Sequence, residues 1–381
     1  MGHQKYHTNN FKDLRTQHNI MAFIGNGFDI QVLKALDINS KTTSYVDFYY
    51  WLDYNKRISS ENKIYIHMKE EKEKGNELWS DFEIGLATLC SQPHFDGERL
   101  FSDLSEIQMY FATYLNEIIT AKTLIAIGNA SSKNRWAINT LSKFIADLDA
   151  EDFGNITFKE ECGHYDLFNW FFVNFNYTSI FDNYIHLDKG QFDPHPYVHA
   201  DRNFQFFPGF NKFGHPTALT NPTEFSSYLL TDIAHPHGLQ NIPKSMLFGF
   251  DNSRQVSYSN RTTSKFMKPY WGQNDKKYSR FFSDTRLFII FGHSLGSTDE
   301  WWWKYIVETI LTSEAELIIY NYLHSGNSQQ LASAEQKKIV KNRFMKASGA
   351  RLSKDDCTKV TNKIFVVNFN QETNRTAFVF K

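Results

Sequence analysis

The sequence predicts an α/β protein whose mostly parallel sheet is covered by helices on both faces. Short runs that are apolar almost throughout, such as residues 21–24 and Leu287–Phe291, are typical of strands buried on both faces. Helical patterns, with apolar residues three and four positions apart, separate these runs. Such alternation of strand and helix is typical of a parallel sheet.

Composition and charge exclude several classes of function. The 381 residues carry a formal net charge of −1 and contain three cysteines, an odd number without metal-ligand spacing. A nearly neutral chain gives no general electrostatic reason to bind nucleic acid or an anionic membrane. The longest nearly continuous apolar run is far shorter than a bilayer span, and the N-terminus lacks the apolar core of a signal peptide. We therefore expect a cytoplasmic protein.

The order of the patterns predicts a core with two insertions. A first strand and turn at residues 20–44 precede helical patterns over residues 45–150, which predict a helical insertion. Strand signals return in LFNWFFVNF and continue in SMLFGF, RLFIIFGHSL, AELIIYNYL and KIFVVNF, so residues 151–381 complete the core. Within them, residues 183–231 lack clear periodicity and predict an irregular insertion. Residues 1–19 form an N-terminal extension.

The first strand ends in a glycine turn. In IGNGFDIQVL, Gly25 and Gly27 permit a sharp turn into a helix, whose N-terminal N–H groups and dipole favour an anion. A complete dinucleotide fingerprint has a third glycine, where Ile30 stands here. The motif alone is equally consistent with a tight turn that holds no ligand.

Four segments are predicted to lie at the carboxyl ends of strands, where open α/β sheets bind ligands. They are IGNGFD (24–29), NFNYTSIFD (174–182), HPHG (235–238) and FGHSLGSTD (291–299). Their side chains are therefore expected to share one site.

The contents, order and spacing of these segments resemble the AbiH family of bacterial phage abortive-infection proteins. TTSYVDFYYWL (42–52) resembles the family's Thr-x-Tyr-x-x-Phe continuation, LWSDFE (78–83) resembles its Trp-x-Asp-x-Glu element, and the MLFGFD strand after HPHG also fits. The resemblance covers most of the chain from Met21 to about Ile310.

AbiH proteins in turn are similar to sirtuin-like, NAD-binding Rossmann domains, and this similarity implies roles for individual residues. A glycine turn holds the pyrophosphate, an Asn contacts the nicotinamide ribose, a His before Gly acts as the base, and a Gly-x-Ser-Leu turn holds the other ribose. The implied catalytic residues are Asn176 and His237. The implied nucleotide-binding residues are Gly25, Asn26, Gly27, Asp29, Tyr177, Thr178, Gly238, Gly292, His293, Ser294, Leu295 and Asp299. The implied ligand or substrate is NAD, and no metal is expected.

Cleavage of a nicotinamide–ribose bond suits these residue types. The leaving group is a cationic pyridinium that needs little acid assistance, and positive charge builds on an oxocarbenium-like sugar, as in glycoside hydrolysis. Asn176 can hold a hydroxyl group through its amide, and a neutral His237 can accept a proton. Each also has a structural interpretation, Asn176 as a turn-capping side chain and His237 as a hydrogen-bonded core residue.

Two other chemistries fit parts of the sequence. The two histidines of HPHG could form half of a metal site with His195 or His199, although no third ligand has recognisable spacing. GHSLG mimics the G-x-S-x-G nucleophile elbow of hydrolases, with Ser294 in the position of the nucleophile. A catalytic triad would need a later histidine, and only His324 follows.

In the sirtuin-like domains that the chain resembles, a small hydroxyl residue usually occupies the place beside the phosphate turn where Asp29 stands here. In one arrangement it N-caps the helix and occupies part of the anion site. In the other it turns towards a ribose and accepts hydrogen bonds from the hydroxyl groups. We favour the ribose arrangement, because Asn176, His237 and Ser294 otherwise have no common ligand.

The WWW run, Trp301 to Trp303, opens the helix after FGHSLGSTD. Three consecutive residues spread over more than half of a helix circumference, so one apolar face cannot bury all three rings. We expect at least one ring to meet a partner chain, a ligand base or, in preference, the helical insertion.

The leading hypothesis is a bacterial anti-phage effector that binds a nicotinamide nucleotide and hydrolyses it after infection. The alternatives are a non-catalytic nucleotide-binding sensor or interaction module of a phage defence system, and a hydrolase of another nucleotide. A homo-oligomer or a phage-derived trigger is a further expected partner. The helical insertion is expected to form a lid or an oligomer contact, because its amphipathic helices must bury an apolar face.

Overall fold

A computed structural model of the chain describes residues 2–37, 41–92, 96–188, 191, 204–208, 225–251, 263–323 and 333–380. Within these residues, one sheet of seven strands forms the centre of the fold. The strands are β1 (Gln17–Ile24), β2 (Leu167–Asn174), β3 (Phe204–Phe206), β4 (Phe225–Ala234), β5 (Leu287–Phe291), β6 (Glu316–Tyr322) and β7 (Ile364–Phe369). Their order across the sheet is β3-β4-β2-β1-β5-β6-β7, and only the β3–β4 pair is antiparallel.

The six parallel strands have the order of a Rossmann fold. Numbered along the chain without β3, they lie in the order 3-2-1-4-5-6, which is typical of dinucleotide-binding sheets. The order reverses between β1 and β5, where such sheets bind ligands. Ile24 pairs with Asn174 of β2 and with Phe291 of β5, so the turns after these strands begin at one level. The predicted Rossmann-like, mostly parallel α/β sheet is confirmed.

The central strands are apolar on both faces. Along β1, Ile20, Ala22 and Ile24 belong to one hydrophobic core, whereas Met21 and Phe23 belong to a second. This division follows from the alternation of side chains along a strand. None of the five has exposed surface, so each face of the sheet requires its own layer of helices.

The helices of the first layer share the first core with the sheet. They are α1 (Gly27–Leu36), α2 (Tyr45–Asn55), α3 (Lys63–Glu73), α4 (Phe82–Cys90), α5 (Gly97–Ile118), α6 (Ala121–Asn134), α7 (Trp136–Lys143), α8 (Ala150–Asn155) and α9 (Ile180–Ile185). α5 packs because one of its faces is apolar and buries Ile107 and Phe111. α4 begins at Asp81, which accepts hydrogen bonds from the N–H groups of Glu83 and Ile84, a cap that stabilises a helix by about 1 kcal/mol.

The second layer covers the opposite face of the sheet with helices from the C-terminal half. This half contains α10 (Lys268–Gly272), α11 (Asn274–Lys277), α12 (Ser279–Phe282), α13 (Glu300–Thr312), α14 (Ser333–Ala347) and α15 (Lys354–Asn362). Trp302 and Trp303 of α13 are fully buried in the second core against Phe23. The preferred expectation that WWW packs on the helical insertion is wrong, because α13 lies on the other face. Trp301 is only partly buried and packs on Tyr305.

Among the described helices, none combines the length and the apolar composition that crossing a membrane requires.

The predicted SMLFGF strand is not formed. Residues Pro243–Ser245 make a turn of 3-10 helix, and Phe250 forms only a single bridge, to Met267. Gly249 interrupts the segment with a φ of 147°, and a Cβ atom there would lie 2.0 Å from the Phe266 carbonyl oxygen. The segment is therefore shaped by this close approach rather than by strand pairing.

The strand that pairs with β2 in place of the predicted SMLFGF strand is β4, which lies earlier in the chain. β3 and residues 225–231 of β4 fall in the region predicted to be irregular. Buried serines, Ser226 and Ser227, interrupt the apolar run of β4, so the pattern of a buried strand is lost. β4 nevertheless ends at Ala234, so HPHG directly follows the carboxyl end of a strand, as predicted.

Candidate functional site

A small cavity of about 190 Å³ lies at the carboxyl ends of β1, β2 and β5, where the strand order reverses. Twelve of the fourteen residues implied by the sequence line it: Gly25, Asn26, Gly27, Asp29, Asn176, Tyr177, Thr178, His237, Gly292, His293, Ser294 and Asp299. The other two, Gly238 and Leu295, each follow a lining residue in the chain. The structure thus brings the residues together, while their chemical roles stay predictions.

The glycines are required by close packing of the turns that follow β1 and β5. A Cβ atom on either Gly25 or Gly27 would lie 2.7 Å from the Gly292 carbonyl oxygen. Gly292 has a φ of 70°, and a Cβ atom there would lie 2.5 Å from the Phe28 nitrogen. The Gly27 N–H donates to the Gly292 carbonyl (2.7 Å), and the Phe28 N–H donates to the Gly25 carbonyl (2.9 Å). The Gly25 N–H also donates to the Phe291 carbonyl (2.9 Å), so the turn predicted to hold a pyrophosphate uses three of its N–H groups within the protein.

Asn26 joins this turn to the helical insertion. It is the N-cap residue of α1, its Nδ2 donates to the Thr43 carbonyl (3.0 Å), and its Oδ1 accepts from the Thr43 hydroxyl (2.5 Å). Tyr114 of α5 donates to the Thr42 carbonyl (2.6 Å). These bonds hold the start of the insertion at the cavity, which Thr43 and Tyr45 also line.

Asp29 is fully buried at the third position of α1. Its Oδ1 accepts from Asn176 Nδ2 (2.7 Å), and its Oδ2 accepts from the Thr178 hydroxyl. Burial raises the pKa of Asp29 to about 7, and these two hydrogen bonds oppose that shift. The arrangement in which Asp29 N-caps α1 is wrong, because Asn26 holds that position. Contact between Asp29 and a ribose stays a prediction.

The bond to Asp29 fixes the orientation of the Asn176 amide. In its carboxylate form Asp29 only accepts hydrogen bonds, and in that form Nδ2 is the Asn176 atom that faces it. Asn176 Oδ1 is buried and has no hydrogen-bond partner among the described residues. A buried acceptor without a partner costs free energy until a donor reaches it. Asn176 therefore presents an acceptor for a hydroxyl or N–H group of a ligand.

His237 lies between aromatic rings just after β4. Its ring centre is 5.0 Å from that of Phe175 and 6.2 Å from that of Tyr177, and the residue is 6% exposed. Burial lowers the pKa of His237 to about 4, Lys268 adds to this shift, and Asp299 opposes it. The imidazole is consequently neutral at pH 7 and can accept a proton.

Asp299 is the centre of a buried charge cluster. Lys268 Nζ donates to its Oδ1 at 2.8 Å, and His293 Nε2 lies 3.2 Å from its Oδ2. His237 Nε2 lies 3.4 Å from Oδ1, with an alignment too poor for a hydrogen bond. Burial alone would raise the pKa of Asp299, but Lys268 and the two histidines outweigh it and hold that pKa well below its usual range. Asp299 is therefore ionised beside both imidazoles.

Gly238 and Leu295 shape the turns that carry the two histidines. Gly238 has a φ of 86°, and a Cβ atom there would lie 2.1 Å from the Ser245 carbonyl oxygen. Leu295 has a φ of 58°, is buried in the second core, and donates its N–H to His293 Nδ1 (2.9 Å). Because Nδ1 accepts, Nε2 carries a proton and directs it towards Asp299.

Sequence reasoning misses three charged residues of the cluster. Lys268, whose side chain is 1% exposed, also lies 3.4 Å from Glu83 Oε2, and the Asp251 carboxylate accepts from the Trp301 N–H (3.1 Å). Burial raises the pKa of Glu83 to about 7 and that of Asp251 well above its usual range, with Lys268 opposing both shifts. Glu83 and Asp251 belong to the Trp-x-Asp-x-Glu and MLFGFD segments, so the resemblance contained a signal for them. Lys268 has none.

The metal-site alternative gains no geometric support. His235 Nε2 lies 3.0 Å from Asp182 Oδ1, and His235 does not line the small cavity. His195 and His199 lie outside the described residues. Within the part of the chain that the structure describes, no three or more His, Cys, Asp or Glu side chains are grouped to hold a metal ion.

The nucleophile-elbow alternative lacks a base. Ser294 is exposed at the rim of the cavity, and across the described ranges it forms no hydrogen bond with a histidine. The neighbouring His293 has its Nδ1 bonded to Leu295 and its Nε2 directed at Asp299. His324 lies outside the described residues.

A large cavity of about 1180 Å³ adjoins the small one. The two share Gly27, Gly292, His293 and Ser294, and the large cavity extends over the carboxyl ends of β6 and β7. Together they occupy both halves of the crevice where a Rossmann sheet binds a dinucleotide.

A comparison with protein families assigns the chain. The family model for bacteriophage abortive infection AbiH matches residues 21–321, a range that includes every described residue lining the small cavity. No curated protein and no solved structure matches the chain, so the similarity to sirtuin-like domains stays a prediction. Because the family model covers most of the 381 residues, the chain belongs to the bacteriophage abortive infection family AbiH.

Proposed function

We propose that this AbiH protein binds NAD or a related nicotinamide nucleotide and hydrolyses its N-glycosidic bond, so that loss of the nucleotide starves the infected cell. The observation that carries the proposal is the pairing of a neutral His237 with an open Asn176 acceptor on one cavity, at the switch point of a Rossmann sheet. Both groups are of the kinds that a glycosidic cleavage requires.

Asn176 would hold the reacting ribose. Its Oδ1 can accept a hydrogen bond from a ribose hydroxyl, which removes the cost of an unpaired buried acceptor. Asp29 keeps the amide in the orientation that leaves Oδ1 available. Asp29 is a positioning residue in this arrangement.

His237 would accept the proton of the attacking water. Its Nε2 lies towards Asp299, which leaves Nδ1 as the ring nitrogen for a ligand in the cavity. The pKa of about 4 makes it a weak base in the free protein. The ionised Asp299 nearby stabilises the imidazolium that forms on proton transfer, and Lys268 keeps Asp299 in that charged state.

The reaction balances with these groups alone. A water oxygen forms a bond to C1′ of the ribose while the bond from C1′ to the nicotinamide nitrogen breaks. The electron pair of the broken bond neutralises the pyridinium, so nicotinamide leaves uncharged. The water proton passes to His237 and then to solvent. The products are nicotinamide and ADP-ribose.

The dimensions of the cavities support binding of a long ligand. Ligand sites commonly measure about 300–1000 Å³, so the small cavity of about 190 Å³ accommodates only part of a dinucleotide. The large cavity next to it provides space for the remainder. A nucleotide whose glycosidic bond lies beside His237 therefore extends across Gly292 into the large cavity.

The test is nicotinamide release from NAD by the purified protein, assayed with and without extract of phage-infected cells. His237→Gln keeps a side-chain donor for Asp299 but removes the base, and it is expected to lower the rate by about a hundredfold or more. His235→Gln is the control from the same HPHG segment, because His235 does not line the cavity. Its Nε2 lies 3.0 Å from Asp182 Oδ1 and its Nδ1 lies 3.4 Å from the backbone carbonyl oxygen of Asn176, and the Gln amide can keep one of these two contacts. It is expected to retain activity within about threefold of the wild type.

Three outcomes separate the hypotheses. Nicotinamide release that depends on His237 and not on His235 supports hydrolysis. Binding of NAD without release under either condition supports the non-catalytic sensor. Equal activity of the two variants would show that His237 is structural and that the proposed base is wrong.

A further inference from the structure

The large cavity contains a guanidinium without an anionic partner. Arg375 lines this cavity, and its Nε and Nη1 are buried without a hydrogen-bond partner in the described part of the chain. Its Cζ atom lies 3.9 Å from the ring centre of Phe369, so an aromatic face, rather than a carboxylate, covers the charge. Partial burial of a cation without a paired anion is unfavourable, and an anionic ligand would compensate it.

The acidic group that acts most strongly on the charge of Arg375 is already used elsewhere. Asp147 influences the charge of Arg375, but its oxygens accept hydrogen bonds from the N–H groups of Thr376 and Ala377 and from the Tyr320 hydroxyl. No ion pair within 4 Å joins Asp147 to Arg375 across the described ranges. The guanidinium therefore keeps its capacity for a ligand.

Two more cations lie at the rim of the large cavity. Lys34 of α1 and Arg343 of α14 are exposed there, and neither forms an ion pair within the described residues. Glu372 is the single acidic residue among the described lining residues. The lining is thus positively charged, although the chain as a whole has a net charge of −1.

The glycine turn is a poor alternative place for phosphates. The Gly27 and Phe28 N–H groups donate to backbone carbonyls, and Asp29 follows them as a buried acid. A phosphate at this turn would find few free donors and a carboxylate close by. The strongest unpaired donors near the crevice are those of Arg375, Arg343 and Lys34.

We propose that the large cavity binds the ADP portion of the nucleotide, with Arg375 as the principal contact of the phosphates and Arg343 and Lys34 at the rim. This rests on the proposed function in one respect, because the nucleotide is the one whose glycosidic bond lies in the small cavity. The chemistry recognised is a nucleoside diphosphate. Arg375 lies beyond residues 21–321, so the principal contact of this anion site comes from a part of the chain outside the matched family range.

The test is calorimetric titration of the full-length protein with ADP-ribose, which has both phosphates, and with adenosine, which has none. The wild type is expected to bind ADP-ribose at least tenfold more tightly than adenosine. Arg375→Met keeps an apolar stem over Phe369 and removes the charge. It is expected to raise the Kd for ADP-ribose at least tenfold and to leave the Kd for adenosine within twofold.

The controls keep the proposal open to refutation. Arg351→Ala removes an exposed arginine that does not line the cavity and is expected to leave the Kd for ADP-ribose within twofold. If thermal melting shows that Arg375→Met does not fold, the double variant Lys34→Ala/Arg343→Ala decides, because both side chains are exposed. A Kd increase of threefold or more supports the site, and an unchanged Kd overturns it.

The outcomes distinguish this proposal from the proposed function. ADP-ribose binding that depends on Arg375, without nicotinamide release from NAD, keeps the anion site and removes the hydrolase. Nicotinamide release with an unchanged KM in Arg375→Met keeps the hydrolase and removes the anion site. ADP-ribose that binds no more tightly than adenosine also overturns the anion site.

Discussion

Replacement of Lys268 by Met should destabilise the protein by removing the cation of the buried cluster. The ammonium group lies 2.8 Å from Asp299 Oδ1 and 3.4 Å from Glu83 Oε2, and the side chain is 1% exposed. Removal of one partner of a buried ion pair costs about 3–5 kcal/mol, because the remaining charge is left uncompensated. We expect the free energy of unfolding at pH 8 to fall by an amount in this range.

The loss should depend on pH in a defined direction. Without Lys268, the effect of burial on Asp299 and Glu83 loses its largest opposing contribution, so their pKa values in the folded state rise. A group whose pKa is raised on folding contributes stability at low pH and loses it as the pH rises through the folded-state pKa. Lys268→Met should therefore be less destabilised at pH 5 than at pH 8, by more than about 1 kcal/mol.

Urea denaturation followed by tryptophan fluorescence at pH 5 and pH 8 measures both quantities. Lys265→Met is the matched control, since Lys265 is exposed three residues earlier in the chain, and it should change stability by no more than about 0.5 kcal/mol. Addition of Asp299→Asn to Lys268→Met should recover part of the loss. The reasoning fails if Lys268→Met is as stable as Lys265→Met at pH 8.

Three further predictions follow from the site geometry. Burial raises the pKa of the Asp29 carboxyl from 3.8 to about 7, so the wild type should lose stability as the pH rises from 4 to 8. Asp29→Asn has no group to titrate there, and its free energy of unfolding should therefore rise relative to that of the wild type by up to about 4 kcal/mol over this range. Free energies of unfolding that change in parallel for the two proteins between pH 4 and pH 8 would contradict this prediction. Gly27→Ala should lower the free energy of unfolding by about 1–3 kcal/mol, since its Cβ would lie 2.7 Å from a carbonyl oxygen. Gly128→Ala in α6, where a Cβ would have nothing within 4 Å, should raise the free energy of unfolding by about 0.5–1 kcal/mol. Chemical denaturation that gives changes of the same sign for both variants would refute the close packing of the turn. Asn176→Ala should lower the free energy of unfolding by about 1–3 kcal/mol, because Asp29 loses one of its hydrogen-bond donors. A double-mutant cycle with Asp29→Asn tests this cause. If the loss is as large in the Asp29→Asn background as in the wild type, the hydrogen bond from Asn176 does not stabilise Asp29.

The sequence predicts the parts of the fold that depend on local patterns. β5 reads as a continuous apolar run, and the following FGHSLGSTD turn contains the glycine that its positive φ requires. The full length of β4 is not predicted, because Ser226 and Ser227 interrupt its apolar pattern. Both serines are buried by the folded structure, and a local sequence pattern contains no information on that burial. SMLFGF shows the opposite error, because its apolar pattern predicts a strand that the structure does not form. The close approach of Phe266 to Gly249 determines the backbone conformation there.

The same distinction applies to the candidate site. His237, His293 and Asp299 could be placed together because each follows a strand, and parallel strands end at one edge of the sheet. The pairing of Lys268 with Glu83 joins positions 185 residues apart, and it depends on how the helical insertion packs at that edge. The pKa shifts of these residues likewise arise from burial in the folded protein.

We propose that this AbiH protein depletes NAD in infected cells and that the depletion requires His237. The most direct measurement is the NAD content of phage-infected cells that produce the wild type, His237→Gln or His235→Gln, determined by mass spectrometry over one infection cycle. We expect NAD to fall and phage production to stop with the wild type and with His235→Gln, and neither to happen with His237→Gln. Protection by the wild type while NAD stays at its uninfected level would show that NAD removal is not the defence activity.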